Sequence, residues 1–397
     1  MKRLLALLVA GCLAVSFAGC SSAKPRESDA MAIGSGVASK DQPVTVSPSE
    51  APQSMRAIAL PSVKEAVTAD DGTTLFTLSF PQAQVILGDS SLEERIIGDL
   101  QTRNGSVLTE ASQLEAQANL DYPESEFWSE YFIDISYTPT RLDDAVLSLF
   151  GNFLSYSGGP HPSLTTDSVT YDLETGAVMY LDDVLAPECT PDTLYQLVLQ
   201  SLSGQAEDLY YDYADALGDR FTGELHSIQD WYFSRSGLCF HFAPYDIAPY
   251  SSGTIIAELP YGNLKGILKD KYFPAEASLA TGSMYVEDYQ EESIGRFSCI
   301  ANVPLSEDGI EVLLYPDAVV TDLRIETGWR YADTDQYISG ATVFAASNMG
   351  VGDAISLTAD LASDETLLRL VYHADGKEYS AFITYDASGD TIVLSNG

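Results

Sequence analysis

Asp182 and Asp183, with Asp172 and Glu174 close by, are the residues whose type and spacing best suit acid–base chemistry. Two carboxylates in one cleft can share the work of general acid and general base, as in a cell-wall glycan hydrolase. The same residues sit in Asp172-Leu173-Glu174-Thr175-Gly176 and Leu181-Asp182-Asp183. Asp-x-x-Thr-Gly is turn chemistry and Leu-Asp-Asp suits capping, and this structural reading is preferred. The four histidines, His161, His226, His241 and His373, include no H-x-x-x-H pair that would make a metal site or a deacetylase centre. Asp333-x-Asp335 starts like a calcium loop but lacks the later Gly and Glu positions. No nucleophile elbow, Walker loop or dinucleotide fingerprint occurs. The sequence therefore offers no cofactor site, no metal site and no catalytic residue. A hydrolase or deacetylase is kept as the alternative to a non-enzymatic role.

Binding chemistry has better candidates. Ser157-Gly158-Gly159-Pro160-His161-Pro162 places two flexible residues before a rigid one and a ring. Pro249-Tyr250-Ser251-Ser252-Gly253 repeats the recipe with a tyrosine, a favoured interface anchor. Ser157, Gly158, Gly159, His161, Pro249 and Tyr250 are expected to share one rim of the fold and to bind a ligand there. The plainer readings are a turn whose His161 caps a backbone group, and a core-edge Tyr250 among 23 tyrosines. Exposed Tyr and Trp231 would be the stacking surfaces for a glycan such as peptidoglycan.

The N-terminus reads as an address. Lys2 and Arg3 precede an apolar run from Leu4 to Ala18, which ends in Phe17-Ala18-Gly19-Cys20. This is the layout of a signal peptide, 1–19, with small residues before a Cys that a lipoprotein signal peptidase reads. Cys20 is expected to be the lipid anchor on the extracytoplasmic face of a bacterial cell membrane. Cys20→Ser should then lose acyl labelling; a labelled Cys20→Ser protein would refute the assignment. No later stretch is long and apolar enough to span a bilayer. Cys189, Cys239 and Cys299 make an odd set with no C-x-x-C, so a Cys189–Cys239 bridge stays open.

The charge limits the partners. Against 20 Lys+Arg stand 58 Asp+Glu, a net of −38 across 397 residues. Nucleic acid is excluded as a partner, because phosphate backbones are held by basic patches. A cationic protein would instead be steered toward such a surface.

These loops need a scaffold. Residues 20–57 have no apolar period and read as a disordered tether. From 58 to 278 the pattern is α+β, an antiparallel sheet with packed helices. Strands are expected at 74–80, 131–137, 145–156, 168–171, 177–180, 230–233, 238–242 and 254–259. Helices are expected after Ser91, with Leu92, Ile96, Ile97 and Leu100 on one face, after Thr190-Pro191, and over 261–268. From 279 to 397 alternating strands recur without a competing helix, which reads as an all-β, sandwich-like domain.

An ordered set of motifs carries a resemblance. Tyr156-Ser157-Gly158-Gly159-Pro160-His161-Pro162 is followed by Tyr171-Asp172-Leu173-Glu174-Thr175-Gly176 and Leu181-Asp182-Asp183-Val184-Leu185. Then come Ser236-Gly237-Leu238 and Pro244-Tyr245-Asp246-Ile247-Ala248-Pro249-Tyr250 with Gly253. This set resembles the extracytoplasmic domain shared by RsiV-type anti-sigma factors and the N-terminal part of PdaC-type peptidoglycan deacetylases. It is filed as domain-of-unknown-function family 3298, preceded by companion family 4163, which would correspond to residues 75–156. The resemblance implies an α+β fold and a binding role, with a lysozyme-like cationic protein as the partner in the anti-sigma branch. The cytoplasmic segment of that branch and the metal-binding catalytic domain of the deacetylases have no counterpart here. The expectation is a non-enzymatic binding or sensing module on a lipid anchor.

Overall fold

The computed structural model describes residues 31–32, 56–125, 127–274, 280–290, 296–306, 309–330, 337–361, 367–386 and 391–396. Cys20, Asp333-x-Asp335 and most of the expected tether lie outside the described residues. The folded chain divides into two compact units. One is built from Ser62–Ala83 and Ser91–Ala275, the other from residues 56–61, Gln84–Ser90 and the chain after Glu276.

The first unit is α+β. Its main sheet has the order β1-β2-β3-β4-β5: β1 is Ser62–Thr68, β2 Thr74–Pro81, β3 Tyr131–Leu142, β4 Val146–Tyr156 and β5 Ser163–Asp172. All neighbours are antiparallel except β2 and β3, which run parallel across the crossover α1, Ser90–Asp121. Alternation sets the faces: Tyr131, Ile133, Ile135 and Tyr137 of β3 are all buried. Helix α1 is 32 residues long and continues well past Leu100, where the apolar spacing that announces it stops. Its buried stripe is Ile96, Leu100, Asn104, Ala111 and Ala118, and small or polar residues at the far positions weaken the periodic signal.

A second, antiparallel sheet of the same unit joins β6 (Trp231–Phe233), β7 (Gly237–Phe242) and β8 (Ile255–Pro260). Between the sheets in sequence lie α2 (Leu181–Val184), α3 (Pro191–Leu202) and α4 (Tyr213–Arg220). Thr190 caps α3 by accepting from Thr193 N, and Pro191 occupies the position where no amide is needed. Leu194, Val198 and Leu202 recur every four residues and are fully buried against Phe233, Phe240 and Phe242. Two expected elements differ. Residues 177–180 make only one bridge, Tyr171 with Val178, because the chain turns at once into α2, where Asp183 caps Tyr180 N. The expected helix over 261–268 is a single 3-10 turn, Tyr261–Asn263, since Gly266 takes a left-handed φ of 77°. Cys189 and Cys239 are buried free thiols, so no bridge joins them.

The second unit is all-β. One sheet pairs Met31–Ala32, Met284–Asp288, Ile310–Pro316, Asp353–Ala359 and Ser298–Pro304 in that order, with the last pair parallel. The other runs Thr391–Asn396, Lys377–Asp386, Leu367–Ala374, Val320–Arg330, Tyr337–Met349, Ala57–Ala59 and Gln84–Ile86. Val286, Val312, Leu314, Ile355 and Leu357 of the first meet Leu323, Ile325, Phe344, Leu368 and Leu370 of the second in one core. That makes it a sandwich. The sequence boundaries place Ala57–Ala59 at the join of tether and α+β domain, and Gln84–Ile86 inside that domain. Both belong instead to the seven-stranded sheet, where Ala57–Ala59 pair with Phe344–Ala346. Met31–Ala32, within the expected tether, pair with Tyr285 and Val286. Strands of two or three residues carry too little alternation to be assigned to a sheet from sequence.

Candidate functional site

The loop joining β4 to β5 and the loop joining β7 to β8 meet. The rings of His161 and Tyr250 stack with centroids 3.9 Å apart and planes 23° apart. Tyr245 completes the group: its ring centroid lies 5.9 Å from that of Tyr250, and its hydroxyl is 3.5 Å from His161 Nε2. Ser157, Gly158, Gly159 and His161 are exposed, whereas Pro249 and Tyr250 are half-buried. Gly158 and Gly159 hold φ of 89° and 115°, which residues with a Cβ rarely adopt. The Tyr156 hydroxyl donates to Gly159 O at 3.0 Å and ties the loop back to its strand. His161 Nδ1 lies 2.8 Å from Pro162 O, so the capping role and the rim position coexist.

Tyr245 was outside the expected binding set. It is 58% exposed and has a φ of 75°, an outlier for a bulky residue that costs about 1–2 kcal/mol. Surrounding bonds hold it there. Tyr245 N donates to Ala248 O at 2.8 Å, Ala243 N donates to Asp246 Oδ2 at 2.8 Å, and Arg220 Nη2 pairs with the same oxygen at 2.7 Å. Strain held this way at an exposed ring is a feature that recognition sites share. A tyrosine in left-handed backbone has no sequence signature, so position alone hides it.

A second segment adjoins the rim. Tyr210 N donates to Ile247 O at 2.9 Å, and Ser252 Oγ donates to Asp208 O at 3.1 Å. Next to these bonds Glu207, Asp208 and Asp212 are exposed, and Tyr211 is 99% exposed. The acidic-aromatic run Glu207-Asp208-Leu209-Tyr210-Tyr211-Asp212 was the signal that could have found it.

The other expected residues are occupied elsewhere. Asp172 Oδ1 accepts from Glu174 N and Thr175 N, and its Oδ2 accepts from Lys271 Nζ. Asp183 accepts from Tyr180 N, and Asp182 lies 3.3 Å from His226 Nδ1. These carboxylates cap turns and a short helix. Trp231 is buried, 3% exposed, so it offers no stacking surface. Among the described residues no three His, Cys, Asp or Glu converge to hold a metal ion. His241 is buried and sits between Thr166 Oγ1 and Ser168 Oγ, each 2.9 Å away. Ser168 donates to Trp231 O at 2.8 Å, so it accepts from His241 Nε2, and His241 Nδ1 accepts from Thr166. A serine bound to a carbonyl and closed off from solvent serves packing rather than attack.

Comparison with known proteins supplies one assignment. Residues 182–262 match a family described as "Protein of unknown function (DUF3298)". This stretch is a DUF3298 domain. Among solved structures, a DUF3298-family member from Bacteroides fragilis is 20% identical, covering 54% of this chain and 94% of that one, with a TM-score of 0.41. A DUF3298-family protein from Pseudomonas aeruginosa PAO1 is 14% identical, covering 55% and 97%, with a TM-score of 0.39. No curated protein matches the chain. The DUF3298 stretch holds α3, α4, the β6–β7 hairpin, the acidic run, Tyr245 and Tyr250. His161 and the two glycines precede it, so the rim is made of DUF3298 and preceding residues together.

Proposed function

We propose that the chain is a lipid-anchored extracytoplasmic lipoprotein that acts as a non-enzymatic binding module, and that its partner is a cationic protein of the lysozyme kind. The observation that carries the reading is the His161–Tyr250–Tyr245 ring cluster beside exposed Glu207, Asp208, Tyr211 and Asp212. Tyrosine faces attract Lys and Arg side chains, and neighbouring carboxylates add charge-assisted hydrogen bonds. Net charge of −38 would speed the encounter. The motif resemblance supports the same class of partner, and Cys20 would supply the anchor. Among the described residues no helix is long and apolar enough to cross a membrane.

Titrating the purified chain with lysozyme tests the reading. Association should be strong at low salt and weaken as ionic strength passes about 0.1 M, where screening shortens to about 10 Å. Absence of association at low ionic strength would sink it. Binding to peptidoglycan with none to lysozyme would also reject the cationic partner.

A further inference from the structure

A groove of about 450 Å³ lies between α1 and one face of the five-stranded sheet, within the usual size of small-molecule clefts. Strand register builds its floor. Ile133, Ser155 and Ser163 stand side by side, then Ile135, Phe153 and Thr165, then Tyr137, Gly151 and Asp167. Gly151 is needed: a Cβ there would lie 2.7 Å from the Tyr137 ring, which crosses β4 so that its hydroxyl reaches Asp167 Oδ2 at 3.2 Å. Helix α1 supplies the wall with Arg103, Val107 and Glu110, which fall on one face by helical spacing.

The lining selects a ligand class. Arg103 is already spent on two carboxylates, with Nε 2.8 Å from Asp99 Oδ2 and Nη1 3.2 Å from Asp167 Oδ2. With Glu110 also present, an anion finds no free positive charge. A cation would meet Glu110, on the exposed edge of the helix, and Asp167, whose charge Arg103 already offsets. The hydroxyls of Ser155, Ser163 and Thr165 and the carboxylate of Glu110 make no side-chain hydrogen bond among the described residues. A purely apolar ligand would leave these groups unpaired against it. An aromatic floor at Phe153, neutral hydroxyls around it and carboxylate acceptors at the rim suit a ring with one apolar face and many hydroxyls. We propose that this groove is a binding site for a neutral saccharide unit, independent of the protein-binding rim.

Saturation-transfer NMR on the full chain tests this with glucose, cellotriose and chitotriose at about 10 mM, tenfold above a millimolar dissociation constant. Saturation should pass to ring protons of at least one sugar. A trimer favoured over glucose would identify a glycan chain as the source, and equal binding a free sugar. Thr165→Trp, which fills the groove from an exposed strand position, should abolish the signal with an unchanged melting temperature. Thr165→Val should weaken binding about fivefold, the loss of one ordinary hydrogen bond. Tyr250→Ala should leave it intact. Absence of transfer from all three sugars, or transfer that survives Thr165→Trp, would overturn the proposal.

Discussion

Arg141→Met should destabilise the first unit by about 3–5 kcal/mol, the range for removing one partner from a buried charged network. Arg141 is 4% exposed at the end of β3. Its Nε donates to Asp143 Oδ2 at 2.6 Å, and its Nη1 donates to Tyr261 Oη at 2.6 Å and to Tyr272 O at 2.7 Å. The guanidinium also lies over the rings of Phe233 and Tyr261. One side chain thus joins the β3–β4 turn to β6 and to the residues that follow β8. Methionine keeps the stem and leaves the Tyr272 carbonyl and Tyr261 hydroxyl without their donor. Asp143 keeps its own turn, accepting from Ala145 N and Val146 N, so the strand ends should stay in place and the loss should fall on the tertiary tie. Denaturant unfolding monitored by tryptophan fluorescence reads the change, since Trp231 is buried beside this site. A loss below about 1 kcal/mol, the worth of an exposed pair, would contradict this account.

The second large effect depends on pH. Burial pushes the His241 imidazolium down from 6.5 to about 4, against the smaller pull of Asp167 and Asp246 and alongside the repulsion of Arg220. The folded protein therefore holds a neutral ring where the unfolded chain would bind a proton. This contribution to stability is fully present above pH 6.5 and is lost as pH falls toward 4, because the unfolded state gains protons first. A shift of this size is worth about 3 kcal/mol. His241→Gln keeps a polar group between Thr166 and Ser168 but does not titrate. Its stability should fall less steeply than the parent's between pH 6.5 and 4, by about that amount. Parallel curves for the two proteins would show that His241 carries no such linkage. Asp230, raised by burial, adds an opposite trend: its folded-state carboxyl takes up a proton more readily than the unfolded chain does, so its contribution to stability grows as pH falls.

What could be read from the sequence follows the range of the interactions that decide it. The C-terminal strands were legible because apolar residues recur at every second position: Leu368, Leu370 and Tyr372 alternate in sequence and all enter the sandwich core. Helix α3 was legible because Thr190-Pro191 and the four-residue spacing of Leu194, Val198 and Leu202 agree. The length of α1 was not, since Asn104, Ala111 and Ala118 bury a polar and two small side chains. Nor was the chain's double visit to the sandwich, which rests on strands of three residues paired with distant partners. At the candidate site, turn chemistry pointed to both loops, and the contact of His161 with Tyr250 brings them together. Tyr245 escaped because its position depends on a left-handed backbone, held by Asp246 within the loop and by Arg220 of α4, which pairs with Asp246 from a distant part of the sequence.

The central claim is that the ring cluster on the two loops binds a basic protein. The most direct measurement is the dissociation constant of lysozyme for the parent chain and for Tyr250→Ala, with melting temperatures taken on the same samples. Tyr250→Ala should weaken binding by about 1–4 kcal/mol, the span of interface hot spots, while the melting temperature stays within a few degrees of the parent. An unchanged dissociation constant, or a loss of binding that comes only with a collapse in melting temperature, would contradict the account.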